Sequence, residues 1–468
     1  MRSIALTALL SLLLASAASA ASVSLTITPE WNNAGRQIPA DFLGLSYETK
    51  MLLPTRAGQR FFRPDNTPLV SMFKSLGMRN LRIGGNSVDT PSVDVPSEAD
   101  IDSLYAFAAA ADVRVIYSVR MKAAVEPTDA ARVAKYVMDH YADRTAAITV
   151  GNEPNMYFVD YAPYRNDYER FASAILAVAP NAIISGSSAT PGKSPWTGEL
   201  VRDVGGTPML KLVTQHSYPG GNATKVTNAA HARRILLSPE IDAGYEAFYA
   251  TFAPAAIEKH LPYRLEEANS FFHGGAPGVS NSFASALWAL DYLYWWASHD
   301  AAGINFHTNN AIVADEQKIP GGYDTFWTGP NGFKVHPIGY AEKAFTLAAP
   351  GGRLVPVKIA GANGVNVVAY ATLAADGTRY VTVINRESGE AGRAIAATTG
   401  MGDGASNAES LTLAAPNNDE AALTGVTLGG QMIGSAGNWN GRWTESTPDV
   451  LVMPTSCVVI RASSVQRR

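Results

Sequence analysis

The sequence predicts an α/β protein: a (β/α)8 barrel followed by a C-terminal antiparallel β-sandwich. Three observations predict it. Eight short apolar, β-branched runs lie between residues 42 and 309 and alternate with segments of helical periodicity, the pattern of βα units around a parallel sheet. No G-x-G-x-x-G opens a helix after the first of these strands, which argues against a doubly wound open sheet. After about residue 350 the helical pattern gives way to short alternating runs divided by Gly, Asn, Asp and Pro, as in a sandwich.

The elements follow in order. Arg2, an apolar run from Ile4 and "ASA" at Ala18 to Ala20 predict a secretory signal peptide over residues 1–20, hence a secreted or periplasmic protein of bacterial texture. Residues 21–36 contain the strand-like "SVSLTITP", expected to join the sandwich. The barrel is expected over 37–349. Its strands are "FLGLSYE" (42–48), "NLRIGGN" (80–86), "VRVIYSV" (113–119), "AITVGNE" (147–153), "AIISGSS" (182–188), "LKLVTQHSY" (210–218), "YRLEEANS" (263–270) and "GINFHTN" (303–309). Helical segments such as "SEADIDSLYAFAAAAD" and "TDAARVAKYVMDHYAD" separate them. "FASALWALDYLYWWAS" is the longest apolar run after the N-terminus, but Asp291 interrupts it, which suits a buried helix better than a membrane span. Residues 350–468 supply the sandwich.

The 468 residues are 47% hydrophobic and carry a formal net charge of −4. Basic residues form no stripe, so neither nucleic acid nor an anionic membrane is an expected partner. No motif implies a cofactor. The single cysteine, Cys457, sits in the apolar run "TSCVVI" and reads as a buried structural residue. With no internal disulfide possible, stability must come from the core.

Chemistry in such barrels gathers at the C-terminal ends of the strands. Those ends carry Tyr47 and Glu48; Arg82, Gly84, Gly85 and Asn86, with Asp89 beyond; Asn152 and Glu153; His216, Ser217 and Tyr218; Glu266, Glu267 and Asn269; and Asn305 and His307. A carboxylate after strand four and another on strand seven would flank the barrel mouth, as hydrolysis of a glycosidic bond requires. Arg82 and a strand-six tyrosine could keep one of them ionised. Adjacent residues of a strand point to opposite faces, so only one of Glu266 and Glu267 can face the centre in the same way, and periodicity does not decide which, because both faces of a parallel barrel strand are buried. Pro154 is expected to hold Glu153 in an extended backbone. His216 and His307 lack metal-ligand spacing and read as buried, hydrogen-bonded histidines, so no metal site is expected. Asn222-Ala-Thr matches a glycosylation sequon, to which the bacterial texture gives little weight.

"GNEPN" and "YRLEEANS" resemble the retaining glycosidases of the large clan that draws one glutamate from each of these two strands. With "FLGLSYE", "LRIGGNSVD", "TQHSYPGG" and "GINFHTNN", the mature chain resembles glycoside hydrolase family 79, the β-glucuronidases and heparanases. The resemblance implies Glu153 as acid/base, Glu267 as nucleophile with Glu266 its neighbour, and Asn152 on the sugar 2-hydroxyl. It implies Tyr218 beside the nucleophile and Glu48 and Asn86 on sugar hydroxyls. Gly274 and Gly275 would line the pocket, and Tyr323 would help to hold the uronate carboxylate. Phe272 stands where relatives often carry tyrosine. The implied partner is a glucuronic-acid-containing glycan or glycoside, and the absence of a basic stripe disfavours a long polyanion. Alternatives are a β-xylosidase or arabinofuranosidase of the same clan, or a carbohydrate-binding protein on a decayed barrel. Retention of both glutamates with Asn152 and Arg82 argues against the last.

Overall fold

The computed structural model describes residues 22–122, 125–315, 317–362, 364–389, 391–402 and 407–463. The signal-peptide segment expected at 1–20 lies outside them.

Strand β1 (Ser22–Pro29) precedes a closed parallel barrel of β2 (Leu43–Glu48), β3 (Asn80–Gly84), β4 (Arg114–Val119), β5 (Thr145–Val150), β6 (Ile184–Ser187), β7 (Leu212–Ser217), β8 (Tyr263–Ala268) and β9 (Gly303–His307). The crossovers are helices α1 (Thr67–Leu76), α2 (Glu98–Ala111), α3 (Pro127–Tyr141), α4 (Tyr161–Val178) and α5 (Ser194–Val204), then α6 (Ala229–Leu236), α7 (Glu240–Tyr249) and α8 (Ala253–Glu258) before β8, and α9 (Phe283–Ser298) before β9. Each observed strand lies within its predicted run except β5, which begins at Thr145, two residues before the run predicted at 147–153.

Alternation sorts the strand residues. Leu43, Leu45 and Tyr47 of β2 join the core shared with the helices, and Tyr47 packs on Phe61 and Phe62, away from the mouth. Gly44, Ser46 and Glu48 face inward. Inside the barrel, Ile116, Ala147 and Leu212 form a small apolar cluster. The rest of the lumen is polar: Arg82, Thr149, His216, Arg264, Glu266 and Asn305 are all buried there. Buried polar groups persist only when they are paired. Asn305, for example, accepts from Arg264 Nε at 2.6 Å and donates to Asn80 Oδ1 at 2.9 Å, below the mouth.

A hairpin of β10 (Phe326–Gly329) and β11 (Gly332–Val335) follows β9, and α10 (Pro337–Ala348) leads out of the barrel. Ten further strands complete two sheets: β12 (Arg353–Val355), β13 (Val357–Ala360), β14 (Val367–Leu373), β15 (Arg379–Asn385), β16 (Ala394–Thr399), β17 (Ala408–Ala414), β18 (Thr427–Leu428), β19 (Thr444–Ser446), β20 (Asp449–Val452) and β21 (Ser456–Ala462). One sheet runs β12-β14-β15-β21-β17-β18 with β19 beside β17, and the other runs β13-β1-β16-β20. The N-terminal β1 thus lies between C-terminal strands, antiparallel to β13 and parallel to β16. Cys457 is fully buried on β21.

Helix α9 is the run that Asp291 interrupts, and it is buried from Phe283 to Ala297. No described helix is long and apolar enough to cross a membrane. Its far face meets the sandwich, where Tyr294 stacks on Tyr370 at 4.8 Å. Asp291 accepts from Arg386 Nη1 at 3.0 Å and from Tyr370 at 2.7 Å. Arg386, just past β15, also holds Asp242 of α7 in a two-pronged pair at 3.0 and 3.1 Å. This buried ion set joins the barrel to the sandwich.

Candidate active site

The polar strand ends converge at one mouth. Arg82, on β3, is its centre: fully buried, it donates from Nη1 to Glu267 Oε2 at 2.7 Å and to Ser46 Oγ at 3.2 Å, and from Nη2 to Asn152 Oδ1 at 2.7 Å. The two glycines that follow leave room for these charges. A Cβ on Gly84 would lie 2.3 Å from Arg82 Cζ, and one on Gly85, at φ +67°, would lie 2.5 Å from the Glu48 carboxyl carbon. Glu48 in turn accepts the Ser87 backbone N–H at 2.8 Å.

After β5 the chain turns sharply. Asn152 is buried, and its Nδ2 donates to the exposed Asn86 at 3.2 Å. Glu153 is not extended, as its position before proline predicted, but left-handed at φ 44°, ψ 56°. Neighbouring bonds override the local preference. The Glu153 N–H donates to Ser188 O at 3.0 Å, and its carbonyl accepts from Met156 N–H at 2.8 Å. Pro154 therefore opens a short 3-10 turn, where its missing N–H costs nothing. A non-glycine residue in this region costs about 1–3 kcal/mol, a strain held by the packing around it.

Glu266 and Glu267 face the centre differently, as expected, but the rule that adjacent residues point to opposite faces does not hold here. The register of β8 shifts against β7 between Gln215 and His216, and against β9 between Leu265 and Ala268. Such a bulge re-aims side chains. Glu266 keeps the inward phase of Arg264 and accepts from Thr149 Oγ1 at 3.0 Å and from Ser188 Oγ. Glu267 is turned to the mouth, where Tyr218 donates to its Oε1 at 2.8 Å. Both carboxylates enter the lumen, at different depths.

Sequence reading assigned His216 only a hydrogen-bonding role. Its Nδ1 lies 3.0 Å from Glu153 Oε1 and 3.8 Å from Glu267 Oε1, and its Nε2 lies 3.9 Å from Glu266 Oε1. It thus lies within 3.9 Å of Glu153, Glu266 and Glu267 alike. Burial alone depresses a histidine, but the charges of Glu267, Glu153 and Glu266 outweigh it and raise the imidazole to about 9. Burial likewise pushes the Glu267 carboxyl up. His307, His216 and Arg82, with the Tyr218 hydrogen bond, reverse this and hold it well below the usual carboxylate range. His307 is placed for this by Ser46 Oγ, 3.0 Å from its Nδ1. A second missed residue is Asp89, already visible just past "GGN". It accepts four bonds, from the backbone of Met121, Lys122 and Asn152 and from Tyr157 Oη, and so ties together the loops after β3, β4 and β5.

The loops after β8 and β9 close the other side. Tyr323 is buried, with its ring 6.3 Å from Tyr218 and 5.9 Å from His307. Its N–H donates to Gly274 O at 3.2 Å, and a Cβ on Gly275 would collide with that N–H at 2.7 Å. Asn269 fixes this junction by donating to the carbonyls of His307 and Tyr323. Phe272 packs edge-on against Tyr218 at 6.1 Å. Glu48, Arg82, Asn86, Asn152, Glu153, Tyr218, Glu267, Gly274, Gly275 and Tyr323 are thus linked around the mouth, whereas the strand-end residues Tyr47 and Asn305 lie away from it.

Glu153, His216 and Glu267 each bring one ligand-type atom within 4.8 Å of the others. Their chemistry does not fit a cation. Arg82 donates to Glu267 at 2.7 Å and approaches His216 Nε2 to 3.5 Å, and the imidazole itself favours its protonated form.

No protein-family model matches the chain. A β-glucuronidase of Aspergillus niger is 30% identical over 115 residues, covering 21% of this chain and 18% of that protein. Heparanase-like protein 2 of Arabidopsis thaliana is 25% identical over 177 residues, 36% of this chain and 28% of that protein. The matched segments thus span less than a third of either curated relative. Among solved structures, a 4-O-α-L-rhamnosyl-β-D-glucuronidase from Fusarium oxysporum superposes over 94% of this chain and 99% of its own, with TM-score 0.68 and 17% identity. A family 51 arabinofuranosidase from Xanthomonas axonopodis pv. citri covers 94% and 100%, with TM-score 0.65 and 15% identity. The resemblance drawn from the strand-end motifs therefore stands: the chain has the fold of (β/α)8 glycosidases, and segments of its sequence are similar to β-glucuronidases and heparanase-like proteins.

Proposed function

We propose that the protein is a retaining glycoside hydrolase that cleaves β-D-glucuronides through a covalent glycosyl-enzyme. One observation carries the mechanism. An oxygen of Glu153 and an oxygen of Glu267 lie within 4.8 Å. Retaining enzymes hold their carboxyl groups about 5–5.5 Å apart, and inverting ones about 6.5–9.5 Å, to admit a water.

Glu267, kept ionised by Arg82 and Tyr218, attacks the anomeric carbon. Glu153, more open to solvent than Glu267, protonates the leaving oxygen and then activates the water that releases the sugar. Asn152 offers its amide to the 2-hydroxyl, with its oxygen clamped by Arg82. Glu48 and Asn86 take further hydroxyls. The junction of Gly274, Gly275 and Tyr323 receives the uronate carboxylate, which neutral N–H and phenol donors can bind. The named glucuronidase relatives support that choice of substrate. Export through the N-terminal segment completes the reading.

A panel of aryl β-glycosides tests it. The glucuronide should be cleaved fastest, and proton NMR of fresh product should display the β-anomer first. Faster cleavage of the β-xyloside or of an arabinofuranoside would replace the substrate assignment. An α-anomer formed first would remove the mechanism. N-terminal sequencing of exported protein should begin near Ala21, and retention of Met1 would count against export.

A further inference from the structure

The double displacement gives no role to Glu266. Yet Glu266 is fully buried, with Oε1 3.8 Å from Arg82 Nη2 and 3.9 Å from His216 Nε2. On the other edge of the same ring, Nδ1 lies 3.0 Å from Glu153 Oε1. Two groups therefore compete for Nε2. Arg82 Nη2, at 3.5 Å, can only donate, which favours a lone pair on Nε2 and the proton on Nδ1. An ionised Glu266 can only accept, which favours a proton on Nε2.

We propose that Glu266 is a positioning residue for the catalytic proton: it keeps Nε2 of His216 protonated, so that Nδ1 can pass its proton to Glu153 and take it back. This rests on the reading of Glu153 as acid/base. In the resting site both ring nitrogens carry protons and Glu153 is ionised. The Nδ1 proton moves to Glu153 Oε1, leaving a neutral ring whose remaining proton faces Glu266. Glu153 gives that proton to the leaving oxygen as the glycosidic bond breaks and Glu267 bonds to the anomeric carbon. In the second half-reaction Glu153 takes a proton from water, the water oxygen displaces Glu267, and the proton returns to Nδ1. Without Glu266 the neutral ring turns its Nε2 lone pair to Arg82 and keeps its only proton on Nδ1. Releasing that proton would then require an imidazolate.

The charged groups facing His216 are Arg82 from β3, Glu153 after β5, and Glu266 and Glu267 from β8, with His307 of β9 and Glu48 of β2 beyond Glu267. Among the charged groups of the described residues, Glu266 is the one carboxylate that faces Nε2, at 3.9 Å. Burial with Arg82 and His216 alongside holds it in its ionised form, because their charges outweigh the desolvation that would otherwise raise it.

Nitrogen-15 NMR of histidine-labelled protein tests this, with His216→Gln used to assign the ring. In the wild type at pH 7 both nitrogens of His216 should be protonated. In Glu266→Gln the ring should lose its charge at lower pH than in the wild type, and its neutral form should carry the proton on Nδ1. The basic limb of kcat/KM, on whichever aryl β-glycoside is cleaved, should move down by about one pH unit or more, since an anion near 4 Å from the ring has been removed. A wild-type ring that is neutral with an Nδ1 proton at pH 7 overturns the proposal, as does a Glu266→Gln ring that titrates like the wild type. The wild-type spectrum decides even if the variant does not fold. It also decides if no glycoside is cleaved, so failure of this proposal is separable from failure of the functional reading.

Discussion

Replacing Arg82 with Met should destabilise the protein strongly at neutral pH and weakly in acid. Met matches much of the arginine's length, so the change removes charge and hydrogen bonds more than volume. Arg82 is fully buried, donates at 2.7 Å to Glu267 and 2.7 Å to Asn152, and lies 3.8 Å from Glu266. At an effective dielectric near 20, a pair of charges at that last distance attract by about 4 kcal/mol. Removing one partner of a buried ion set costs about 3–5 kcal/mol, because the remaining charge stays buried. The expected loss at pH 7.5 is in that range. The pH dependence follows from the carboxylates. In the wild type, Glu266 and Glu267 titrate below their unfolded values, so their contribution is complete above the usual carboxylate range and is lost only as pH falls toward the depressed values. In Arg82→Met, burial is no longer offset by the guanidinium and both carboxyls rise. Their neutral forms then relieve the penalty as pH falls toward 5. Urea denaturation followed by tryptophan fluorescence at pH 7.5 and pH 5 measures both deficits. Equal deficits at the two pH values, or a wild-type midpoint at pH 7.5, would refute the reasoning. Turnover should fall by a factor on the order of 10³, the scale for losing a buried donor at a reacting centre.

Glu267→Gly should lose all turnover, and added azide should restore some and yield an α-glycosyl azide, identifiable by NMR. Glu153→Ala should keep activity on substrates with good leaving groups and yield the β-azide, because the intermediate still forms from the nucleophile's side. Asp89→Ala should cost about 3 kcal/mol of stability in chemical denaturation, since it strands the buried donors of Met121 and Asn152 and removes the acceptor of the exposed Lys122 N–H, and should lower kcat more than it raises KM. Asp291, raised by burial to about 6 despite Arg386, contributes stability that is complete below its unfolded value and is lost as pH rises through 6. Asp291→Asn should therefore gain stability at pH 7 relative to pH 4 by about 3 kcal/mol compared with wild type, as paired denaturation curves at the two pH values would measure.

The barrel was legible because its signals are local. β-Branched runs and helical periodicity encode elements, and eight alternating pairs permit few other architectures. A parallel barrel sends every strand's C-terminal end to one face, so Glu48, Asn86, Asn152, Glu153, Tyr218 and Glu267 could be grouped before any distance was known. The helix of "FASALWALDYLYWWAS" was legible for the same reason, since an apolar run interrupted by Asp291 suits a buried helix better than a membrane span.

What the tertiary structure alone decided are the points where contacts distant in the chain overrule a local rule. Residue alternation said that Glu266 and Glu267 face apart. Closure of β8 against both β7 and β9 introduced a bulge that turned both inward. The proline rule said that Glu153 is extended, and a hydrogen bond to Ser188 on a neighbouring strand end made it left-handed. His216 became the link between glutamates 63 and 50 or 51 residues away because parallel neighbours bring distant segments into register. Arg386 found Asp242 and Asp291 across 144 and 95 residues in the same way. The sequence by itself determined which strand ends meet at the mouth, because the alternation of strands and helices implies a parallel barrel. Which nitrogen meets which carboxylate depends on register and twist, and those are settled only when the barrel closes and every buried charge must find a partner.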